Sequence, residues 1–219
     1  MVAALDYRDK TGEGQHLDLS QLEASLYFVG PPMIDYAANG RITSRNGNRH
    51  PLMAPHAAYR CVGDDAFCAI ACTDDSRWQA LCEAMGRADL SVDARFATAS
   101  SRKVHETDVD QIVTDWTSTL GADEVMHRCS NAGVAAGVVR TPEGLFSDPQ
   151  LSFRGHFVFM EQAEMGRYAS DGNCFTMSEA TPVYRPSPLL GEHTEYVCRN
   201  ILGLSQEEYE LLKADGALS

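Results

Sequence analysis

Basic residues are scarce in this chain of 219 residues, in which 18 lysines and arginines stand against 31 aspartates and glutamates. The formal net charge of -13 would repel a nucleic-acid backbone or an anionic membrane surface, so we expect neither as the main partner. Long apolar runs are also lacking, since none approaches the ~20 residues of a membrane helix. Residues 1–6 lack the basic region and apolar core of a signal peptide. These absences predict a cytoplasmic protein.

Paired cysteines are absent as well, because no two cysteines form a C-x-x-C motif and their number, seven, is odd. Cys68 and Cys72 lie in an apolar, strand-like run, and Cys82 and Cys129 lie on the apolar faces of predicted helices. A thiol in such a place behaves as a small hydrophobic group. We therefore expect reduced cysteines in a core, with neither a metal site nor disulfides.

Common catalytic motifs are missing too: the sequence has no nucleophile elbow, P-loop or H-E-x-x-H, and Gly12-x-Gly14 follows a helix instead of a strand. One loop remains as a candidate site. His50 and His56 flank an apolar segment that is restricted by Pro51 and Pro55 and follows a polar, glycine-bearing stretch. Such a loop either covers a pocket or simply connects two elements, and the residues alone leave both interpretations open.

The first part of the chain predicts a piece of an α/β sheet. A helix ends near Lys10, a two-glycine turn follows, and a short strand places Leu17 and Leu19 on one face. Ser20 and Glu23 form a capping box that opens another helix. A strand needs neighbours, and we expect this one to belong to a larger domain.

Further elements follow the patterns of helices and strands. Residues 39–48 predict a linker and domain boundary, and a hairpin is expected over 57–72. An amphipathic helix that begins at Asp74 or Asp75 places Trp78 in a core, and a second one along 109–120 places Trp116 there. The remaining expected elements are a helix along 125–129, a strand or buried connector at 135–139, helices after Thr141 and Asp148, a strand at 157–160, a helix at 192–202, and a last helix capped by Ser205 with Glu208.

Several motifs along the chain resemble those of class III CoA-transferases, the family named for carnitine dehydratase and bile-acid-inducible protein F. They cover nearly the whole chain in the family's order: Arg8-x-x-Thr11-Gly12-x-Gly14-Gln15-x-x-Asp18-x-Ser20-x-x-Glu23-Ala24, Gly47-Asn48-x-His50-Pro51, Trp78, Asp93-x-Arg95-Phe96, Gly133-Val134, Asp148-Pro149-Gln150 with Arg154-Gly155, and Pro188-Leu189-Leu190-Gly191-Glu192-His193.

The resemblance implies an α/β fold of which this chain forms an α+β portion. Residues 1–45 would be the end of a large nucleotide-fold domain with its linker, 46–160 a small α+β domain, and 161–219 a segment that returns to the large domain. The family's nucleophilic aspartate lies before the position of Thr11, in an N-terminal half, so no catalytic residue is assigned here and the chain alone is predicted to be inactive. Coenzyme A would be a substrate, and no cofactor or metal is expected.

The resemblance also assigns substrate-binding residues, because in some relatives a loop at this place overhangs the active site. Here they would be Asn48, Arg49, His50, Leu52, Met53 and Ala54. The implied partners are an acyl-CoA, a carboxylic acid, and either a second copy of the chain or a polypeptide that carries the N-terminal half. Two other functions stay open, namely a 2-methylacyl-CoA racemase-type enzyme and a non-enzymatic module that binds a partner.

Overall fold

The computed structural model describes residues 1–218 of the chain. It divides into two compact units, one of residues Met1–Val138 and one that begins at Val139. The mixture of helices and small antiparallel sheets confirms the expected α+β class. The domain limits expected at residues 45 and 160 stay predictions. None of the described helices is both long enough and apolar enough to cross a membrane.

A three-stranded antiparallel sheet organises the first unit. Its strands are β1 (His56–Arg60), β2 (Phe67–Ala71) and β3 (Ala135–Val138), in the order β1-β2-β3. The predicted hairpin is thus confirmed, and the apolar run that was expected as a strand or connector is the third strand. Side chains alternate across the sheet, so each strand gives one set to the core and one set to the opposite face.

Helices cover the core face of this sheet. Asp74 caps the helix that carries Trp78 by accepting a hydrogen bond from the Arg77 amide, and Tyr59 on β1 donates to Asp110 over 2.7 Å. Burial and that hydrogen bond raise the pKa of Tyr59 far above its ordinary value. The buried residues of this core are Tyr59, Cys61, Cys68, Ile70, Cys72, Trp78, Leu81, Cys82, Leu90, Phe96, Val109, Val113, Val125, Cys129 and Val134.

The helices of the first unit begin and end largely where caps and glycines predict. The bounds are α1 Val2–Thr11, α2 Gln21–Leu26, a 3₁₀ turn Tyr27–Val29, α3 Gly30–Asn39, α4 Asp75–Ala84, α5 Asp89–Val92, α6 Ala99–Val104, α7 Glu106–Thr117 and α8 Ala122–Asn131. The short helices α5 and α6 carry no apolar stripe and are not predicted by the sequence.

The strand predicted around Leu17 and Leu19 is wrong, because residues 13–19 have irregular backbone in this structure. Both leucines are exposed, and within residues 1–218 no strand pairs with this segment. A strand is stable only when its backbone groups are paired, so an alternating pattern without a neighbouring strand does not form one. The flanking predictions hold, since Gly12 ends α1 in the left-handed conformation and Ser20 caps α2.

The second unit contains a two-stranded hairpin of β4 (Phe157–Gln162) and β5 (Gly166–Asp171). β4 confirms the strand predicted at 157–160, whereas the sequence does not predict β5. Thr141 caps a helix with proline at its first position, and Ser205 with Glu208 forms the predicted capping box. The helix expected from residue 192 begins two residues later. The helices are α9 Pro142–Phe146, α10 Pro149–Arg154, α11 Thr194–Tyr196 with a π-helical turn Val197–Ile201, and α12 Gln206–Ala214.

Candidate functional site

The candidate loop is held in shape by local hydrogen bonds. Asn46 Nδ2 donates to the carbonyl of Arg49 over 2.9 Å, and between them Gly47 takes a left-handed conformation with φ of 61°. The imidazole of His56 lies 2.7 Å from the carbonyl of Asn48. The segment from 46 to 49 therefore forms a turn that folds back onto the start of β1.

The six residues predicted to bind substrate fall at different depths of this loop. Leu52 is 73% exposed and Met53 is half-buried, whereas Ala54 is fully buried. The Leu52 amide donates to His50 Nδ1 over 3.1 Å, and the two histidine rings lie 5.3 Å apart. Residues 50–54, hereafter the 50–54 loop, thus present Leu52 outward and are anchored at Ala54.

A groove of about 620 Å³ lies beside this loop, on the sheet face opposite the core. Asn48 and Arg49 line one side of it, and His56 lies at one end. Its volume is in the range of small-molecule sites. Five outward positions of the three strands form the floor of the groove, and all five are small: Ala58, Ala69, Ala71, Ala135 and Gly137. The larger outward pair, Arg60 and Phe67, is not part of the groove lining.

Such a floor departs from the polar outer face that an antiparallel sheet usually shows to water. Because alanine side chains are small and glycine has none, the backbone of the sheet itself lies at the floor of the groove. The structure therefore brings Asn48, Arg49 and His56 together over an apolar floor, while Leu52 and Met53 lie in the adjoining loop.

The loop is held by two residues of α6 that the sequence does not mark as functional, Arg102 and Lys103. Arg102 Nε donates to the carbonyl of Ala54 over 2.7 Å, and Lys103 Nζ donates to the carbonyl of His50 over 2.7 Å. Arg102 is fully buried. Because α6 has no apolar periodicity, nothing in the pattern of residues 99–104 signals a buried arginine.

Several motif residues that carried the family resemblance surround Arg102. Its Nη1 donates to the carbonyl of the buried Phe96 over 2.9 Å, and its Nη2 lies 2.9 Å from the Asp75 carboxylate. The Trp78 ring lies 5.5 Å from the guanidinium carbon and 6.2 Å from the Phe96 ring. Trp78 and Phe96 therefore hold Arg102, the residue that anchors the loop, in its buried position.

Other motif residues begin or end helices. Gly133 ends α8 with φ of 74°, and a Cβ there would lie 2.7 Å from the Arg77 guanidinium. Asp148 caps α10 by accepting from two backbone amides, and Gly155 ends that helix in the left-handed conformation. These roles are structural, so the motifs do not by themselves mark a reacting group.

The core cysteines lie where the sequence predicted them. Cys68, Cys72, Cys82 and Cys129 are all buried, and burial raises the pKa of the last three to about 12. Thiols with such pKa values stay protonated at neutral pH and react poorly. In the described part of the chain, no three histidine, cysteine or acidic side chains form a group that could hold a metal ion.

A family model described as CoA-transferase family III matches residues 1–194. The chain belongs to CoA-transferase family III, and the resemblance drawn from its motifs is confirmed. It is 32% identical, over 96% of its length, to a probable CoA-transferase of Mycobacterium tuberculosis. It is 31% identical, over 98% of its length, to the alpha subunit of a succinyl-CoA–L-malate CoA-transferase of Chloroflexus aurantiacus.

The fold has a solved counterpart in a CAIB/BAIF family protein from Brucella suis, with a TM-score of 0.78, 27% identity and 91% of this chain covered. The chain spans 51% of that protein, 50% of the Chloroflexus subunit and 26% of the Mycobacterium relative. These relatives are thus about two to four times longer than the sequence described here.

Proposed function

We propose that this chain is the C-terminal portion or a subunit of an acyl-CoA:carboxylate CoA-transferase. The observation that carries the proposal is the match of the CoA-transferase family III model to residues 1–194 of a chain that spans between 26% and 51% of the relatives compared above. In the proposed enzyme the nucleophilic aspartate belongs to an N-terminal half outside these 219 residues. The cytoplasmic location expected from the sequence is part of the same proposal.

The proposed reaction is covalent catalysis by that aspartate. Its carboxylate attacks the acyl-CoA thioester and forms a mixed anhydride with release of CoA thiolate, which then attacks the aspartyl carbonyl, frees the donor carboxylate and leaves an aspartyl-CoA thioester. The acceptor carboxylate attacks this thioester to give a second anhydride and CoA thiolate, and attack of the thiolate on the acceptor's carbonyl yields the new acyl-CoA and the free aspartate. Water would hydrolyse these intermediates, so the active site needs a cover that excludes it.

The residues of this chain would supply that cover. Leu52 is exposed at the crest of the 50–54 loop, so burying it against another surface would contribute roughly 1.5–3 kcal/mol. Met53 beside it is already half-buried and would contribute less. Asn48 and Arg49, together with His50, would face the CoA or the acceptor acid, while Ala54 anchors the loop. The substrates proposed are an acyl-CoA and a carboxylic acid, without a cofactor or metal.

The proposed partner is a second copy of the chain or a polypeptide with the N-terminal half. Apolar side chains lie exposed at both ends of the chain, among them Met1, Val2, Ile201 and Leu202. Along 21–39 the helices bury none of their described residues, although this stretch is rich in aliphatic and aromatic side chains. Large exposed apolar patches usually mark interaction surfaces, which supports the proposal of a partner.

A double variant, Leu52→Ser with Met53→Ser, tests the covering role in an enzyme that contains both halves. We expect hydrolysis of the acyl-CoA to rise relative to transfer, because a polar loop admits water. The melting temperature of the isolated 219-residue chain should change little, since Leu52 is exposed there and Met53 is only half-buried. Leu211→Ser is the control, because Leu211 is 63% exposed on α12 in the other unit.

An unchanged ratio of hydrolysis to transfer, with normal melting, would reduce the 50–54 loop to a simple connector. Assays of the enzyme that contains both halves also distinguish a CoA-transferase from the two other functions left open by the sequence, a racemase-type enzyme and a non-enzymatic binding module. Epimerisation of a 2-methylacyl-CoA without CoA transfer would identify a racemase-type enzyme, and a chain without affinity for CoA in any assembly would identify a binding module.

A further inference from the structure

Both ends of the 50–54 loop are bound by consecutive residues of one short helix. Lys103 Nζ donates to the carbonyl of His50, and Arg102 Nε donates to the carbonyl of Ala54, each over 2.7 Å. Between these two carbonyls the loop makes one hydrogen bond of its own, from the Leu52 amide to His50. The position of the exposed part of the loop therefore depends strongly on these two cations.

The two contacts differ in how firmly they hold. Arg102 is fully buried and divides its donors among the carbonyls of Ala54 and Phe96 and the Asp75 carboxylate. A planar guanidinium with several fixed partners holds one geometry. Lys103 is partly exposed and makes a single-point contact on a flexible stem. The Ala54 end is thus fixed, and the His50 end can be released.

Glu106 holds Lys103 in place for its contact with the loop. One carboxylate oxygen of Glu106 lies 2.6 Å from Lys103 Nζ, and the other lies 3.8 Å from Nε of Arg49. The Glu106 side chain is largely buried, so water screens these attractions less than at an open surface. A single carboxylate therefore orients both the loop's own arginine and the lysine that binds the His50 carbonyl.

We propose that Lys103, oriented by Glu106, is a positioning residue that latches the His50 end of the 50–54 loop. With the latch closed, Leu52 and Met53 have a fixed position; with it released, the loop swings about its anchor at Ala54. The catalytic consequence rests on the proposed function, because it takes the loop as the cover of a transferase active site. Lys103 acts through the loop and touches no reacting atom.

The first measurement is amide hydrogen exchange in the 219-residue chain. Lys103→Met keeps the length of the side chain and removes its charge and donors. We expect exchange over residues 49–53 to rise about tenfold, because a charge-assisted bond that limits local opening is lost. The Cys72 amide, which donates to the carbonyl of Pro55 beyond the fixed end, should exchange as in the wild type.

Two further variants serve as comparisons. Lys103→Arg keeps a cation that can reach the His50 carbonyl, and it should restore most of the protection of residues 49–53. Lys213→Met makes the same chemical change on α12, where the ammonium lies 5.9 Å from the Tyr209 ring, and it should leave the loop unaffected. A role confined to stability would raise exchange across the whole sheet instead of in the loop alone.

The second measurement is the ratio of hydrolysis to transfer in an enzyme with both halves. Lys103→Met should raise this ratio severalfold, and Lys103→Arg should return it towards the wild-type value. Unchanged loop exchange in Lys103→Met would overturn the latch. Faster loop exchange with an unchanged ratio in an active enzyme would support the contact between Lys103 and the loop and overturn its catalytic consequence. If the wild-type enzyme transfers no CoA, the proposed function fails, and the exchange measurement alone decides whether Lys103 holds the loop.

Discussion

Replacing Arg102 by methionine is the most informative perturbation of the core. The guanidinium is fully buried, and its donors reach the carbonyls of Ala54 and Phe96 and one oxygen of the Asp75 carboxylate. Methionine fills a similar volume without a charge. The variant therefore isolates the hydrogen bonds that join α6 to the 50–54 loop and to Phe96.

The magnitude follows from what the substitution leaves behind. Ala54 and Phe96 are both fully buried, and their carbonyls would each lose a charged donor. A buried acceptor without a partner costs about 1–3 kcal/mol, so the two together cost about 2–6 kcal/mol. Removing the buried charge returns part of this free energy, so we expect a net loss of about 2–4 kcal/mol. Asp75 contributes little, because its side chain is half exposed.

Urea unfolding followed by tryptophan fluorescence measures the effect, since the Trp78 ring lies 5.5 Å from the guanidinium carbon. Arg128→Met is the matched control, because Arg128 pairs with Glu124 on the exposed face of α8 and such a pair contributes about 0.3–0.5 kcal/mol. A loss in Arg102→Met no larger than in this control would refute the account of Arg102 as the anchor of the loop.

The remaining predictions concern thiols, a helix cap, a glycine and association. At pH 8 the exposed Cys174 should react quickly with a disulfide reagent, and all seven thiols should react in denaturant. Several fast-reacting thiols in the native chain would contradict the burial of the other six cysteines. Hydrogen bonds from Ser76 and from the Arg77 amide lower the pKa of Asp74 from 3.8 to about 2. The difference in unfolding free energy between wild type and Asp74→Ala should therefore have its full value above pH 3.8 and shrink towards pH 2, which acid titrations of unfolding measure. Gly133→Ala should lose about 1–2 kcal/mol of stability in urea unfolding, because the residue is left-handed. Light scattering of the isolated chain should show self-association, and a monodisperse particle of 24.0 kDa that binds no hydrophobic dye would count against it.

Local signals in the sequence predicted most of the elements. The hairpin of β1 and β2 follows from two apolar runs around Gly63, and Asp74 and Ser205 mark helix starts because their side chains accept from the next turn. The predicted strand at Leu17 is wrong for a physical reason. Alternating apolar and polar residues give a strand two different faces, but they do not supply the neighbouring strand that its backbone must pair with. β5 was missed because its polar residues resemble a loop until β4 pairs with them.

The candidate site was predictable only in part. Two prolines and the apolar stretch between them indicated the 50–54 loop, because exposed apolar side chains in a loop need another surface to pack against. What holds the loop could not be read from the chain, since Arg102 and Lys103 are 48 and 53 residues from the carbonyls they bind. A buried arginine carries no periodic signal, and its partners become neighbours only after the sheet and α6 have folded.

We propose above that these residues complete a CoA-transferase whose nucleophile lies outside them. The most direct measurement compares CoA transfer from an acyl-CoA to a carboxylic acid by the purified 219-residue chain with transfer by the same chain assembled with the aspartate-bearing half. We expect no turnover by the chain alone and turnover by the assembly. Transfer by the chain alone, persisting after every trace of longer enzyme has been removed, would contradict it.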